Sequence, residues 1–264
     1  MRRRDFISAA GLWPFAAAAQ PDAPVQGSVI RSLREQAETA AAKISQFISE
    51  IERQIGLTTT TPWAAAPIAQ RRFDYGRLLR QVPAITEFVQ LDPGGKELLR
   101  VSRRSTDVIG GNGDFSQDPK FTRAVAEKVY YSAVYFDREF EPYMTLALAD
   151  DDPDAGVRVA EVSLKPISDI TARIQVGEHS VAYVLDAQNR VIIHHDVGLI
   201  QRDFSSLAQV HAAHAASPGG IAEAVQIALD VGGREVLATC AMVTPLGWLV
   251  CVELPTEEAN APAQ

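Results

Sequence analysis

Apolar residues recur along this chain with two periods. From Ile30 they fall at Ile30, Leu33, Ala37, Ala40, Ile44, Phe47 and Ile51, with Ile48 and Ile55 widening the stripe. Steps of three and four residues place them on one helical face, which predicts a long amphipathic helix over residues 28–57, capped by Ser28 and stopped by Gly56. The stripe is also heptad-like, so it suits a homodimer seam as well as the protein's own core. Residues 58–69, rich in Thr, Pro and Ala, break the pattern. Residues 71–80 predict a short second helix with Phe73, Leu78 and Leu79 inward.

Beyond residue 85 the period drops to two. ITEFVQLDPGGKELLRVS (85–102) and SVAYVLDAQNRVIIHH (180–195) share one plan, a β-rich run with an aromatic residue, an Asp opening a tight turn, and a second apolar strand. Asp bonds its own downstream backbone, and Gly or Asn tolerates the positive φ of such turns. Two hairpins of this kind predict two similar α+β modules in tandem. Between them, residues 118–128 read as a helix, and 129–136, 143–149 and 157–164 as strands. An acidic connection lies at 150–154, and a helix at 166–174 opens with Pro166. The glycines of residues 106–117 lack the Lys-Ser/Thr of a phosphate loop. The acidic connection lacks the Gly and Glu spacing of a calcium loop.

Composition narrows the class of partner. The chain has 264 residues and a net charge of −8 with no basic stripe, which argues against nucleic acid. The start, MRRRDFISAAGLWPFAAAAQ, places three arginines before a short apolar stretch and an alanine run. Arg-Arg-Asp-Phe-Ile resembles the twin-arginine export pattern, with cleavage expected after residue 19; the general secretory route, an uncleaved anchor and a misassigned start are the other readings. Removing residues 1–19 leaves 22 basic and 32 acidic side chains, a net charge of −10. The expected location is the periplasm. The two cysteines suit an oxidising space: if Val243 pairs with Trp248 across a four-residue loop, Cys240 lies opposite Cys251, close enough for a disulfide. Two buried thiols are the other reading.

The stretches DFSQDPKF, KVYYSAVYFD, EPYMTLALA and GVRVAEVSL within residues 114–163 resemble the double Cache (dCache) sensor family. So do VGEHSVAYVLDAQNRVIIHH at 176–195 and GWLVCVE at 247–253. The likeness covers residues 28–254. It implies an α+β fold with a long N-terminal helix followed by two tandem PAS-like modules with antiparallel sheets. The membrane-distal type would span 58–165 and the membrane-proximal type 166–254, with a tail at 255–264. Small molecules usually bind the distal module of that family, and the signal passes to a kinase, cyclase or chemotaxis output. This chain departs from the family's pattern: an export signal replaces one spanning helix, the other is missing, and no output segment follows Glu253. The expectation is a sensor head that works through a membrane-bound receptor or kinase.

In a PAS-like cup, alternating strand residues and a covering helix face the ligand. Tyr131 and Tyr135 then share a face, as do Tyr143 and Thr145, and Arg100 and Ser102, while Phe121 comes from the lid helix. Amino-acid-binding members carry Arg-x-Trp-Tyr on the lid and an Asp on the last distal strand; the corresponding residues are Asp118, Lys120, Phe121 and Glu161. With the Arg and Trp gone, the expected ligand is an amine or small carboxylate rather than a typical amino acid.

Catalysis finds little support. His194 and His195 are adjacent on a strand, where neighbours point to opposite faces and share no metal readily. His211 and His214 lack a third ligand. No Gly-x-Ser-x-Gly or His-Glu-x-x-His motif occurs. The expectation is a non-enzyme without cofactor or metal. Its runners-up are a solute-binding protein for a transporter, with a cleft between hinged lobes, and a structural domain without ligand.

Overall fold

The long helix forms, and its apolar stripe organises everything that follows. The computed structural model describes residues 23–57, 66–150, 152–215 and 225–260; the stretch read as an export signal and most of the 58–69 break lie outside them. Helix α1 (Ala23–Leu57) buries Leu33, Ala37, Ala40, Ala41, Ile44, Ile48, Ile51 and Ile55 within its own chain, so the face suited to a dimer seam is occupied by the core. Helix α2 (Ile68–Gln81) buries Tyr75, Leu78 and Leu79. Phe73, expected inward, is exposed; Tyr75 takes that place, its ring 4.2 Å from that of Phe88.

The first sheet contains β1 (Ile85–Leu91), β2 (Glu97–Ser102), β3 (Val108–Ile109), β4 (Val129–Tyr131), β5 (Tyr135–Phe136), β6 (Pro142–Ala149) and β7 (Val157–Ser163). Its order is β3-β2-β1-β7-β6-β4 with β5 on β6, and every pairing is antiparallel. Helix α3 (Pro119–Glu127) lies between β3 and β4 in sequence, and α4 (Lys165–Thr171) leads away from β7. The second sheet contains β8 (Val181–Leu185), β9 (Val191–Ile193), β10 (Gln226–Leu229), β11 (Glu235–Val243) and β12 (Trp248–Pro255), in the order β10-β11-β12-β8-β9. Helix α5 (Ala208–Ala215) follows β9 in sequence, and α6 (Thr256–Ala259) follows β12. The fold is thus α+β, a long N-terminal helix followed by two antiparallel sheets.

Both sheets use the same layering. One face of each joins α1 in a shared core: Phe88, Leu99, Leu146 and Val162 from the first, Val184, Leu237, Val250 and Val252 from the second. The opposite faces carry separate apolar clusters. Val89, Leu91, Ala147, Val157 and Val159 pack with Ala124 of α3, while Tyr183, Leu185, Leu249 and both cysteines pack with Val210 and Ala213 of α5. In the β11–β12 hairpin Val243 opposes Trp248 and Cys240 opposes Cys251. The Cα atoms of the two cysteines are 4.0 Å apart and their sulfurs are bonded.

One expected strand is interrupted. Residues 129–136 split into β4 and β5 because Ser132 replaces a ladder contact: its Oγ accepts from the Thr145 amide at 2.8 Å and donates to the Ala133 carbonyl at 2.8 Å. The alternation of faces restarts after the break, which re-aims the side chains on either side of it.

Candidate functional site

The half of the first sheet that α3 leaves open carries charge. Phe115 and Phe121 pack with α3 over the apolar half. In the open half Ser102 opposes Glu87, Glu87 opposes Glu161, and Glu161 opposes Thr145, so all four share one face with Arg100, which opposes Val89. Those five side chains are half-buried, between core and solvent. Tyr135, on the short strand β5, closes the row: its hydroxyl donates to Glu161 Oε1 at 2.8 Å, and its ring stacks on that of Tyr143 at 6.1 Å.

The charges are organised around Arg100. Its Nη2 donates to Glu97 Oε2 at 2.5 Å, and its Nε lies 3.8 Å from Glu87 Oε1. Glu97 is buried, and Gly111 and Gly113 pass so close to its carboxylate that a Cβ on either would collide with it. The glycine-rich loop therefore makes room for a buried carboxylate. At the rim, Arg104 bonds the Tyr143 hydroxyl, covers the Tyr143 ring at 4.9 Å and lies 3.7 Å from Asp137. Tyr143 in turn donates to Glu141 at 3.1 Å.

Burial pushes the Glu87 carboxyl above the usual carboxylate range; Arg100 pulls it down while Glu161 pushes it further up. Burial also raises the Tyr135 phenol, and the Glu161 carboxylate beside it adds to the rise. Tyr135 thus stays protonated and acts as a donor. The arrangement offers guanidinium donors and carboxylate acceptors on one face of the sheet, the complement of a small zwitterion.

Of the residues singled out in the sequence, Arg100, Ser102, Tyr135, Tyr143, Thr145 and Glu161 come together here. Tyr131 does not. It precedes the Ser132 break and faces the other way, its hydroxyl donating to Glu52 of α1 at 2.6 Å. Phe121 lies in the sealed apolar half. Asp118 caps α3, accepting from the Lys120 amide at 2.9 Å. His194 and His195 do not point to opposite faces either: β9 ends at Ile193, and the two rings stack at 4.4 Å. His214 pairs with Asn189 at 2.7 Å. No group of three or more metal-ligating side chains gathers among the described residues. Glu87, Glu97 and Arg104 complete the site unforeseen.

The corresponding face of the second sheet is filled by its own side chains. Glu253 is buried there, accepting from the Tyr183 hydroxyl at 2.5 Å and from Gln209 Nε2 at 2.7 Å, and burial raises its carboxyl. The Phe204 ring packs edge-on against Tyr183 at 5.5 Å.

No protein-family model matches the chain, and no curated protein does. Solved structures do. The ligand-binding domain of the Campylobacter jejuni chemoreceptor Tlp3 in complex with L-valine superposes with a TM-score of 0.68 at 11% identity, over 93% of this chain and 100% of that one. The chain has the fold of a chemoreceptor sensory domain. The ligand-binding domain of Pseudomonas fluorescens CtaA, in complex with L-isoleucine, gives 0.62 at 16% identity over 89% and 96%. That of the Pseudomonas aeruginosa amino acid chemoreceptor PctB, in complex with L-Arg, gives 0.60 at 16% over 87% and 89%.

These complexes overturn the expectation that the ligand is an amine or small carboxylate and not a typical amino acid. Domains of this fold hold valine, isoleucine and arginine. The expectation took the missing lid Arg and Trp as the loss of the amino-acid clamp. Arg100 and Arg104 stand at the same open face, reached from β2 and the loop after it.

Proposed function

We propose that this protein is an extracytoplasmic sensor domain that binds a small amino-acid-type zwitterion in the open half of the first sheet. Residues 58–165 would be the membrane-distal-type module that holds the ligand, and 166–254 the membrane-proximal-type module. In this reading the twin-arginine-like start delivers the chain to the periplasm, and a separate protein receives the signal. The observation that carries it is the half-buried row Glu87–Arg100–Glu161, closed by the exposed Tyr135, with both charge signs on one face. The ligand carboxylate would replace a carboxylate at Arg100 or Arg104, and its ammonium would sit between Glu87 and Glu161. The row suits binding, because its carboxylates are already engaged by Arg100 and by the Tyr135 hydroxyl and offer paired charges to a ligand.

The filled face of the second sheet favours the first as the ligand module. Helix α1 favours a sensor over a transporter-delivery protein. It runs unbroken against both sheets, and Arg158 Nη1 of β7 donates to the Ile55 carbonyl at 3.3 Å, so both sheets rest on one helix rather than on separate lobes.

The test is a thermal-shift and calorimetric screen of the purified protein against the common L-amino acids and γ-aminobutyrate. A ligand at about 100 times its Kd should stabilise the protein by roughly 2.7 kcal/mol. Arg100→Ala and Glu161→Gln should each weaken the best ligand by about tenfold or more, the cost of a lost charge-assisted contact. Affinity unchanged in both variants would remove the site from this face.

A further inference from the structure

A cavity of about 890 Å³ lies where the first sheet hands over to the second, away from the charged row. It is bounded by residues 140–142 before and at the start of β6, by α4 and the segment after it, and by the β8–β9 edge with His194 and His195. Its volume falls in the range that holds small molecules, about 300–1,000 Å³. It shares no residue with the Glu87–Arg100–Glu161 row.

Two side chains on its wall are out of place for a surface that does nothing. Val197 at 74% and Phe140 at 71% relative exposure exceed every other exposed large apolar side chain among the described residues, and both line this cavity. Phe140 is also held at φ 59°, where a non-glycine residue costs on the order of 1 kcal/mol or more. The turn that holds it is well built: Asp137 Oδ1 accepts from the Glu139 amide at 2.9 Å and the Glu141 amide at 3.0 Å. Glycine or asparagine would suit this turn better, and the Phe140 ring itself stands clear of the turn at the cavity wall.

The opposite wall is also aromatic. His194 Nδ1 accepts from the Asp196 amide at 2.8 Å, which leaves its proton on Nε2, and the ring stacks on His195. Burial lowers the His194 pKa to about 4, so this ring is neutral near pH 7. Ala182, Ile192 and Ile193 contribute apolar surface. The charges point one way. Lys165 is engaged by Glu141 at 3.2 Å and also feels Asp169, so that with Glu178 three carboxylates face a single lysine along the cavity. The cavity therefore repels anions.

We propose that this inter-sheet cavity is a second binding site, for a flat aromatic molecule that is neutral or cationic, with Phe140 and the His194–His195 pair supplying the ring contacts. The probes are indole and indole-3-acetate, which share a ring system and differ by a carboxylate. Saturation-transfer NMR and calorimetry on the purified protein should show indole binding, with indole-3-acetate at least about tenfold weaker. Phe140→Gly should weaken indole by about tenfold while leaving the melting temperature unchanged or higher, since glycine relieves the positive φ. Arg100→Ala should leave indole binding untouched, which separates this site from the first. Absence of indole binding, equal binding of both probes, or indifference to Phe140→Gly would each overturn the proposal.

Discussion

At the scale of single residues, one device recurs. Asp92, Asp137, Asp186 and Asp230 each accept, through Oδ1, the amides two and four residues onward, and so close a tight turn. Two of the four are the Asp residues that make the hairpins recognisable in the sequence. His194 shows how burial turns a residue into a pH dependence. Its pKa of about 4 lies below its unfolded value, so the folded state resists protonation. Its contribution is fully present above about pH 6.5 and is lost as pH falls toward 4. Glu87 acts in the opposite sense, because its folded carboxyl is raised and its contribution is lost as pH rises through the carboxylate range. Denaturant melts from pH 4 to 7 should show stability rising with pH between 4 and 6.5, and His194→Asn should flatten that slope. An unchanged slope would place the dependence elsewhere.

At the scale of elements, the alternating and helical patterns translated directly where the backbone stayed regular. The stripe from Ile30 to Ile55, the β1–β2 and β8–β9 hairpins and the Cys240–Cys251 register all follow from period and turn chemistry. Regularity failed at Ser132, where a side chain does a backbone's work, and Tyr131 consequently faces α1 instead of the cup. Arg100, Thr145 and Glu161 were legible because strict alternation carries them to one face. Glu87 shares the face of Val89 by the same rule, but an acid in a strand of apolar residues does not announce itself. Glu97 depends on two glycines from a distant loop, and Arg104 on a bend after β2; neither has a periodic signature. The β11–β12 hairpin yields its own prediction. Its disulfide spans 11 residues, and closing so short a loop contributes up to about 3 kcal/mol by the chain-entropy model. Replacing both cysteines by Ala should lower the unfolding free energy by up to that amount, measured in denaturant melts, with the fold retained because the strands still pair. A loss well beyond it would mean that the bond holds more than this hairpin.

At the scale of the whole molecule, α1 is the common element: both sheets pack on it, and the first is fastened to it by the Arg158 contact to Ile55 and by Tyr131 to Glu52. A ligand that rearranges the open half of the first sheet acts on strands whose far face rests on this helix. Any shift of α1 is limited by the ligand's difference in affinity for the two arrangements. This geometry separates two tyrosines that sequence alternation had placed together. If the proposed site holds, Tyr135→Phe should weaken the best ligand by several-fold, whereas Tyr131→Phe should leave its affinity within about twofold, because Tyr131 faces α1 and donates to Glu52. The most direct measurement is backbone-amide chemical-shift mapping of the protein titrated with its best amino acid. The account predicts the largest shifts around Glu87, Arg100, Thr145 and Glu161, with little change around Tyr183 and Glu253. Shifts centred on the second sheet, or none with any amino acid at millimolar concentration, would contradict it.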